Sequence, residues 1–452
     1  MKKLATLLLA AGMVVASTAP ANAVDVKVSG EYRHSFSTGS DYTGKNYEDF
    51  RHRMRLNLAL AASENLSAFV QFQLNHQNQY GSADKHGKGS AISTRQLYLD
   101  WVVPTTAIKV RMGRHQLGLP ADAFGNNSVL GAGMGNRDGI VVTAPVTDWL
   151  GLTGIWTRLG TDGGTDLDTN NTDDMYALAA NLKFEGFSGA VYAAYATLDN
   201  NEEYETDKME PGVGKGNAFE AKPVMAGGYD NNTWNGGRPD GEGDAYWVGF
   251  TSTFTFFDPF TLKLSAAYGE FNADNNGDNA NGWNVQVKGE YALPFGTAVL
   301  GGWYFSGNDE DGKGYMPNAG YFNGTNHIYD GALSLTNTPA HGNNYGTWAV
   351  QAGIEGVSFL EDLTHDFHVT YMQGTNHQAA VTYIKDGAWT GEMSKDDASV
   401  EFTLNNVYKI YKNLAAHLEL AYVINDFDDT AEKQAGFTED DWYASLTFQY
   451  KF

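Results

Sequence analysis

Apolar and polar residues alternate one for one along most of this chain. In the terminal WYASLTFQYKF, Trp442, Ala444, Leu446, Phe448, Tyr450 and Phe452 fall on one face, and Tyr443, Ser445, Thr447, Gln449 and Lys451 on the other. The same period of two runs through WNVQVKGEYAL, where Trp283, Val285, Val287 and Tyr291 alternate with Asn284, Gln286, Lys288 and Glu290, and through MYALAANLKF. Side chains of a strand point in turn to its two faces, so these segments predict strands with one greasy face and one wet or small-residue face. The connections alternate as well. AASEN, VPTTA, FEGFS, LPFGT and YKIYKN are short, whereas the long connections are rich in Asp, Asn and Gly, the longest covering about 199–243 and 306–345. Lipid cannot hydrogen-bond a backbone, so a sheet that crosses it must close on itself. The pattern therefore predicts an all-β, antiparallel transmembrane β-barrel with short periplasmic turns and long outer loops. Nine long and eight short connections give eighteen strands, and merging one hairpin would give sixteen. Either number is wide enough for a water-filled lumen. Trp149, Phe187, Phe257, Phe260, Phe295, Phe359, Tyr408 and Tyr411 gather at the short turns, as in a girdle at the membrane interface.

The ends and the composition narrow this picture. Lys2 and Lys3, the apolar run LATLLLAAGMVVA and the small-residue site ANA predict a secretory signal peptide over residues 1–23, leaving 24–452 as one barrel domain. No later stretch is long and apolar enough for a transmembrane helix. The chain has no cysteine, which excludes disulfides and thiolate metal sites. Its formal net charge of −24 offers nothing to nucleic acid. No Gly-x-Ser-x-Gly, Walker or His-Glu-x-x-His motif is present, so an enzyme is not expected, and the eleven histidines show no metal-ligand spacing. DNNGDNANG from Asp274 and NDEDGKG from Asn308 offer alternating oxygens without the full calcium-loop spacing. No cofactor is expected beyond divalent cations that could bridge such loops to lipopolysaccharide.

One segment runs against the acidity. In FRHRMRLNLAL, Met54, Leu56, Leu58 and Leu60 share one face and Arg51, Arg53, Arg55 and Asn57 the other. The reverse register would put three guanidinium groups in hydrocarbon, at about 2 to 4 kcal/mol each near the midplane. The arginines therefore face the lumen. Lys27 and Arg33 on the polar face of VKVSGEYRHSF, and Lys109 and Arg111 further on, extend a basic wall. Such side chains either brace the wall by pairing with Glu31 and Asp100 or set the field of the pore.

Several motifs resemble the trimeric outer-membrane porins of Gram-negative bacteria, with the nearest likeness to homotrimeric porins of sulfate-reducing bacteria. SENLSAFVQFQ (63–73) is similar to their second hairpin, KVRMGRHQ (109–116) to the strand entering their constriction loop, and GNRDGIVVTAP (135–145) to the strand leaving it. The resemblance implies a third outer loop, about 116–136, folded into the barrel. It aligns Arg53, Arg114 and Arg137 with the basic constriction wall. The pore set expected from periodicity and resemblance together is Arg51, Arg53, Arg55, Lys109, Arg111, Arg114, Arg137 and Asp122. Asp122 is the sole acid of that loop, where family loops hold several. The resemblance further implies a homotrimer in lipid and lipopolysaccharide, and a terminal Phe448, Tyr450 and Phe452 read by the barrel-assembly machinery. The expected function is passive diffusion of small hydrophilic solutes and ions with a mild anion preference. The alternative is a substrate-specific channel in which loop aromatics (Tyr229, Trp234, Tyr315, Tyr321 and Tyr329) guide a defined solute.

Overall fold

Eighteen antiparallel strands pair in chain order, and the last pairs with the first, so the sheet has no free edge. They are β1 (Asp25–Ser40), β2 (Asn46–Ser63), β3 (Leu66–Gln79), β4 (Ile92–Val102), β5 (Lys109–Gln116), β6 (Asn136–Pro145), β7 (Leu150–Thr161), β8 (Thr172–Phe184) and β9 (Phe187–Leu198). The second half holds β10 (Gly243–Phe257), β11 (Phe260–Ala273), β12 (Ala280–Leu293), β13 (Gly296–Phe305), β14 (Thr347–Leu360), β15 (Leu363–Gly374), β16 (Ala398–Tyr411), β17 (Leu414–Asp426) and β18 (Asp441–Lys451). This computed structural model describes residues 24–40, 44–79, 92–125, 136–161, 172–198, 243–274, 279–310, 313–317, 322, 324–328, 332–335, 346–381, 393–428 and 440–452. The expected leader, 1–23, lies outside them.

Closure rests on the C-terminus. Phe452 and Gly30 exchange both backbone hydrogen bonds, at 2.8 and 3.1 Å. A Cβ at position 30 would collide with the Phe452 ring, so glycine is needed where that ring covers β1. The apolar set of each strand faces outward: Leu178 is 59% exposed and Leu300 62%. Water would not tolerate so large an apolar surface, and lipid requires it. Rings cluster at both ends. Trp149 lies 5.6 Å from Phe184, and Phe187 5.2 Å from Phe254, beside the short turns. Tyr195 joins Tyr176 and Tyr246 in a row near the other rim.

The interior departs from a simple pipe. The third outer loop leaves β5 and crosses to the far wall. Leu117 and Leu119 pack against Ile155, Met175, Tyr192 and Trp247, in a cluster where alanines such as Ala177, Ala194 and Ala267 leave room for the loop. Burial of each leucine contributes roughly 1.5 to 3 kcal/mol. Further along, the Ala123 N–H donates to Ser265 Oγ at 3.1 Å, and Phe124 packs edge-on to Trp303 at 5.2 Å.

The seventh outer loop, 306–346, also enters the barrel; the sequence pattern shows only its length. Glu401 on β16 accepts the backbone N–H groups of Asn326, His327 and Ile328 at 2.9–3.0 Å. Glu419 on β17 accepts those of Leu333 and Ser334 at 2.6 and 3.2 Å, together with the Ser445 hydroxyl at 3.0 Å. Both carboxylates are buried. Charge-assisted bonds to several converging N–H groups repay that burial and fix the loop across β16, β17 and β18. Its ends are held at the fully buried Asn376, which receives the Asn308 N–H at 2.7 Å and donates to Gly346 O at 3.4 Å.

Candidate pore constriction and its basic wall

Register decides which charges reach the lumen, because residues paired across antiparallel strands share a face. On β1 and β2, Arg33 pairs with Arg53 and Glu31 with Arg55. The lumen side of this wall therefore carries Glu31, Arg33, Arg51, Arg53 and Arg55. Glu31 is its hub. Arg33 lies 2.7 Å from it, Arg53 3.4 Å, and Gln449 Nε2 donates to it at 2.6 Å. Arg51 pairs with Asp49. Lower down, Arg111 grips Asp100 with two bonds of 2.7 and 2.8 Å, and Lys109 reaches the same carboxylate at 3.0 Å.

Two arginines are held differently. Arg55 Nε donates to Gln73 Oε1 at 2.9 Å, and Arg95 donates to Gln71 Oε1 at 3.4 Å. Gln71 in turn donates to Asn57 at 2.8 Å. Among the described residues, neither guanidinium has an ion pair. An amide oxygen orients a guanidinium without cancelling its charge. The sequence pattern missed Arg95, since strict alternation places it with Leu97 and Leu99 on the lipid side. The register slips between Gln71 and Phe72, so Arg95 is an extra residue on β4, and the bulge turns it inward.

Other expected residues take other places. Arg114 does not join the wall. It pairs with Leu97 on one side and Asp138 on the other, on the outward face, and its ion pair with Asp138 spans 3.2 Å. Arg111 and Gly113 take the inward positions of β5, so the motif match at Gly113–Arg114 put the arginine on the wrong face. Arg137, opposite His115, points inward without an ion pair among the described residues. Asp122 is not a counter-charge in the pore. It accepts from Gln286 Nε2 and the Phe124 N–H, each at 3.1 Å, and pins the third loop to β12. The loop beyond Gly125 lies outside the described residues.

On the far wall each lysine is matched by a carboxylate. Lys263 and Lys288 share Glu290 at 2.6 and 3.3 Å, while Lys288 and His368 share Glu355 at 3.2 and 3.1 Å. Glu401 and Glu419 are occupied by the seventh loop. That loop also meets the basic wall: Arg33 donates to Leu333 O at 3.1 Å and Arg51 to Leu335 O at 3.2 Å. The lumen is thus narrowed between two loops and a wall whose excess charge is positive.

Of the loop aromatics, Tyr315 is buried against Ala280 and cannot line a solute path; Tyr229, Trp234, Tyr321 and Tyr329 lie outside the described residues. Residues 275–278 of the stretch from Asp274 to Gly282 are likewise outside them, and Asp309 in the other oxygen-rich stretch accepts the Lys313 N–H at 2.9 Å. Among the described residues, no group of three or more His, Asp or Glu side chains could hold a metal ion.

The fold matches solved outer-membrane channels. OccK3 (OpdO) of Pseudomonas aeruginosa aligns over 95% of this chain and 96% of its own, with a TM-score of 0.55 and 11% identity. OpdQ of the same organism aligns over 95% and 98%, with a TM-score of 0.55 and 12% identity. OpdK of the same organism, solved with vanillate, aligns over 95% and 98%, with a TM-score of 0.51 and 11% identity. No curated protein sequence matches the chain. The sequence profile described as Gram-negative porin matches residues 5–328, and with the closed barrel and its in-folded loops it places the chain in the Gram-negative porin family, as an outer-membrane β-barrel for the passage of small solutes and not an enzyme.

Proposed function

We propose that the channel passes small hydrophilic solutes passively with a mild preference for anions. The observation that carries this reading is the pair Arg55 and Arg95, oriented by glutamine oxygens and held in no ion pair among the described residues. A low-dielectric constriction lined by one sign of charge concentrates counter-ions and orients dipolar solutes. The acidic outer loops attract cations to the mouth, but charges beyond a Debye length of about 8 Å are largely screened at physiological salt. The constriction therefore outweighs the mouth. Reversal potentials across a potassium chloride gradient test this: chloride selectivity supports it and cation selectivity overturns it. The same bilayers test the homotrimer that the family resemblance implies, which predicts closure in three equal steps.

A second reading is a substrate-specific channel. The neighbour solved with vanillate, a small ring-bearing carboxylate, favours it, as does the second in-folded loop. Saturable uptake that blocks ion current supports this reading; linear uptake over a wide range of solutes returns the general one.

A further inference from the structure

The periplasmic end of the basic wall carries a stack that the ion pairs do not explain. Phe69 on β3 and Tyr98 on β4 are paired in register and face the lumen. Their rings stack with centroids 5.1 Å apart and planes 24° apart. The Arg111 guanidinium lies 4.0 Å from the centre of the Tyr98 ring. The ring separation is close to the strand spacing of about 4.8 Å, so the planes stand upright, side by side, across the direction from strand to strand.

This row stops abruptly at β2. The residue beside Phe69 is Ala59, and beyond Ala59 on β1 comes Lys27, which is exposed. Ala59 presents only a methyl group, so among the described residues the face of Phe69 turned away from Tyr98 has no ring against it. Just above, Gln71, Asn57 and Ser29 form a hydrogen-bonded amide and hydroxyl row. A flat ring lying over Ala59 would extend the stack by one member, and an anionic substituent on it would meet the Lys27 ammonium.

We propose that Phe69, Ala59 and Lys27 form a lumen-facing slot for a flat aromatic ring bearing a carboxylate. This rests on the anion-preferring reading and names the solute class that the wall retains best. Flatness is the selecting property: a puckered ring of the same size and charge lacks the aromatic stacking contact with Phe69 that a flat ring makes.

The test is block of potassium chloride current through the purified protein in planar bilayers by benzoate and by cyclohexanecarboxylate, which share charge and ring size but not flatness. Benzoate should half-block at a concentration about three- to ten-fold lower, the worth of one aromatic stacking contact. Ala59→Leu should abolish that difference by filling the slot, and Phe69→Leu should abolish it by removing the stacking face. Either variant suffices if the other fails to insert. Lys27→Gln should weaken both blockers and keep their ratio. Equal half-block in the native channel, or a ratio that survives in the variants, overturns the slot; block by both acids unchanged in Lys27→Gln overturns the part given to Lys27. Cation selectivity of the chloride-salt current overturns the anion reading instead, and the benzoate ratio is read independently of it.

Discussion

Arg33 and Arg53 stand directly opposite each other on neighbouring strands and share one carboxylate, that of Glu31. One negative charge thus stands between two positive ones at the top of the basic wall, and a third cation, Arg55, is paired in register with the same Glu31. The ion pairs hold the guanidinium groups in place without neutralising the wall. Glu31→Gln keeps the shape and the Gln449 contact but removes the charge. The expected result is a reversal potential shifted further toward chloride, with the shift larger at 0.1 M than at 1 M salt, about where the Debye length falls from 10 to 3 Å. An unchanged reversal potential would mean that these charges do not face the permeating ions.

Arg55, Arg95 and Arg114 form a contrast set. The first two face the lumen without an ion pair among the described residues, and the third faces outward in a pair with Asp138. Arg55→Ala and Arg95→Ala should each raise single-channel conductance and move selectivity toward cations. Arg114→Ala should leave selectivity where it was. If Arg114→Ala shifts the reversal potential as much as Arg55→Ala does, the assignment of faces on β5 is wrong.

The barrel itself is legible in the sequence because one physical demand, apolar outside and polar or small inside, recurs at every second residue of every strand. The short turns follow from it, and so does a count of sixteen to eighteen strands, which the closed sheet sets at eighteen. The stripe Arg51, Arg53 and Arg55 is legible for the same reason. The alternation of KVRMGRHQ also gives the outward face of Arg114, alongside Val110 and Met112; the motif resemblance pointed the other way, and periodicity is the sounder guide. Arg95 is different. Its orientation depends on a bulge, and a bulge reverses the very alternation that a reader of the sequence relies on. The in-folded seventh loop is hidden more deeply. Its anchors, Glu401 and Glu419, look like ordinary polar-face residues, and their partners are backbone N–H groups more than seventy residues away that carry no side-chain signature.

Asp122 anchors the third loop rather than opposing the arginines. Asp122→Ala leaves the buried Gln286 amide and the Phe124 N–H without that acceptor, at a cost of about 1 to 3 kcal/mol for each buried group left unsatisfied. The loop should detach from β12 while the arginine wall stays intact. Conductance should rise and become noisier with little change in ion preference. A clear gain in anion selectivity with unchanged conductance would instead place Asp122 in the field of the pore.

Glu401 offers a direct test of how the seventh loop is anchored. It is fully buried, and the acceptors of three successive N–H groups are its two oxygens. Glu401→Gln replaces one oxygen by an amide nitrogen that cannot accept, so at least one of the three donors loses its partner and an unwanted donor faces it. The loss is again about 1 to 3 kcal/mol for each buried group left unsatisfied. Glu419→Gln should act in the same way on Leu333 and Ser334, and the double variant should release the loop from both β16 and β17. Strand pairing does not use these carboxylates, so the barrel should still fold, with native heat-modifiable mobility. Limited proteolysis of the folded variants should cut within 306–346 faster than in the native protein, and open-channel noise should increase. Because Arg33 and Arg51 hold the carbonyls of Leu333 and Leu335, release of the loop also uncovers two guanidinium groups, each still ion-paired with Glu31 or Asp49, and the double variant removes two carboxylate charges. Anion selectivity should therefore rise with conductance in the double variant, the reverse of what a simple widening of the pore would give.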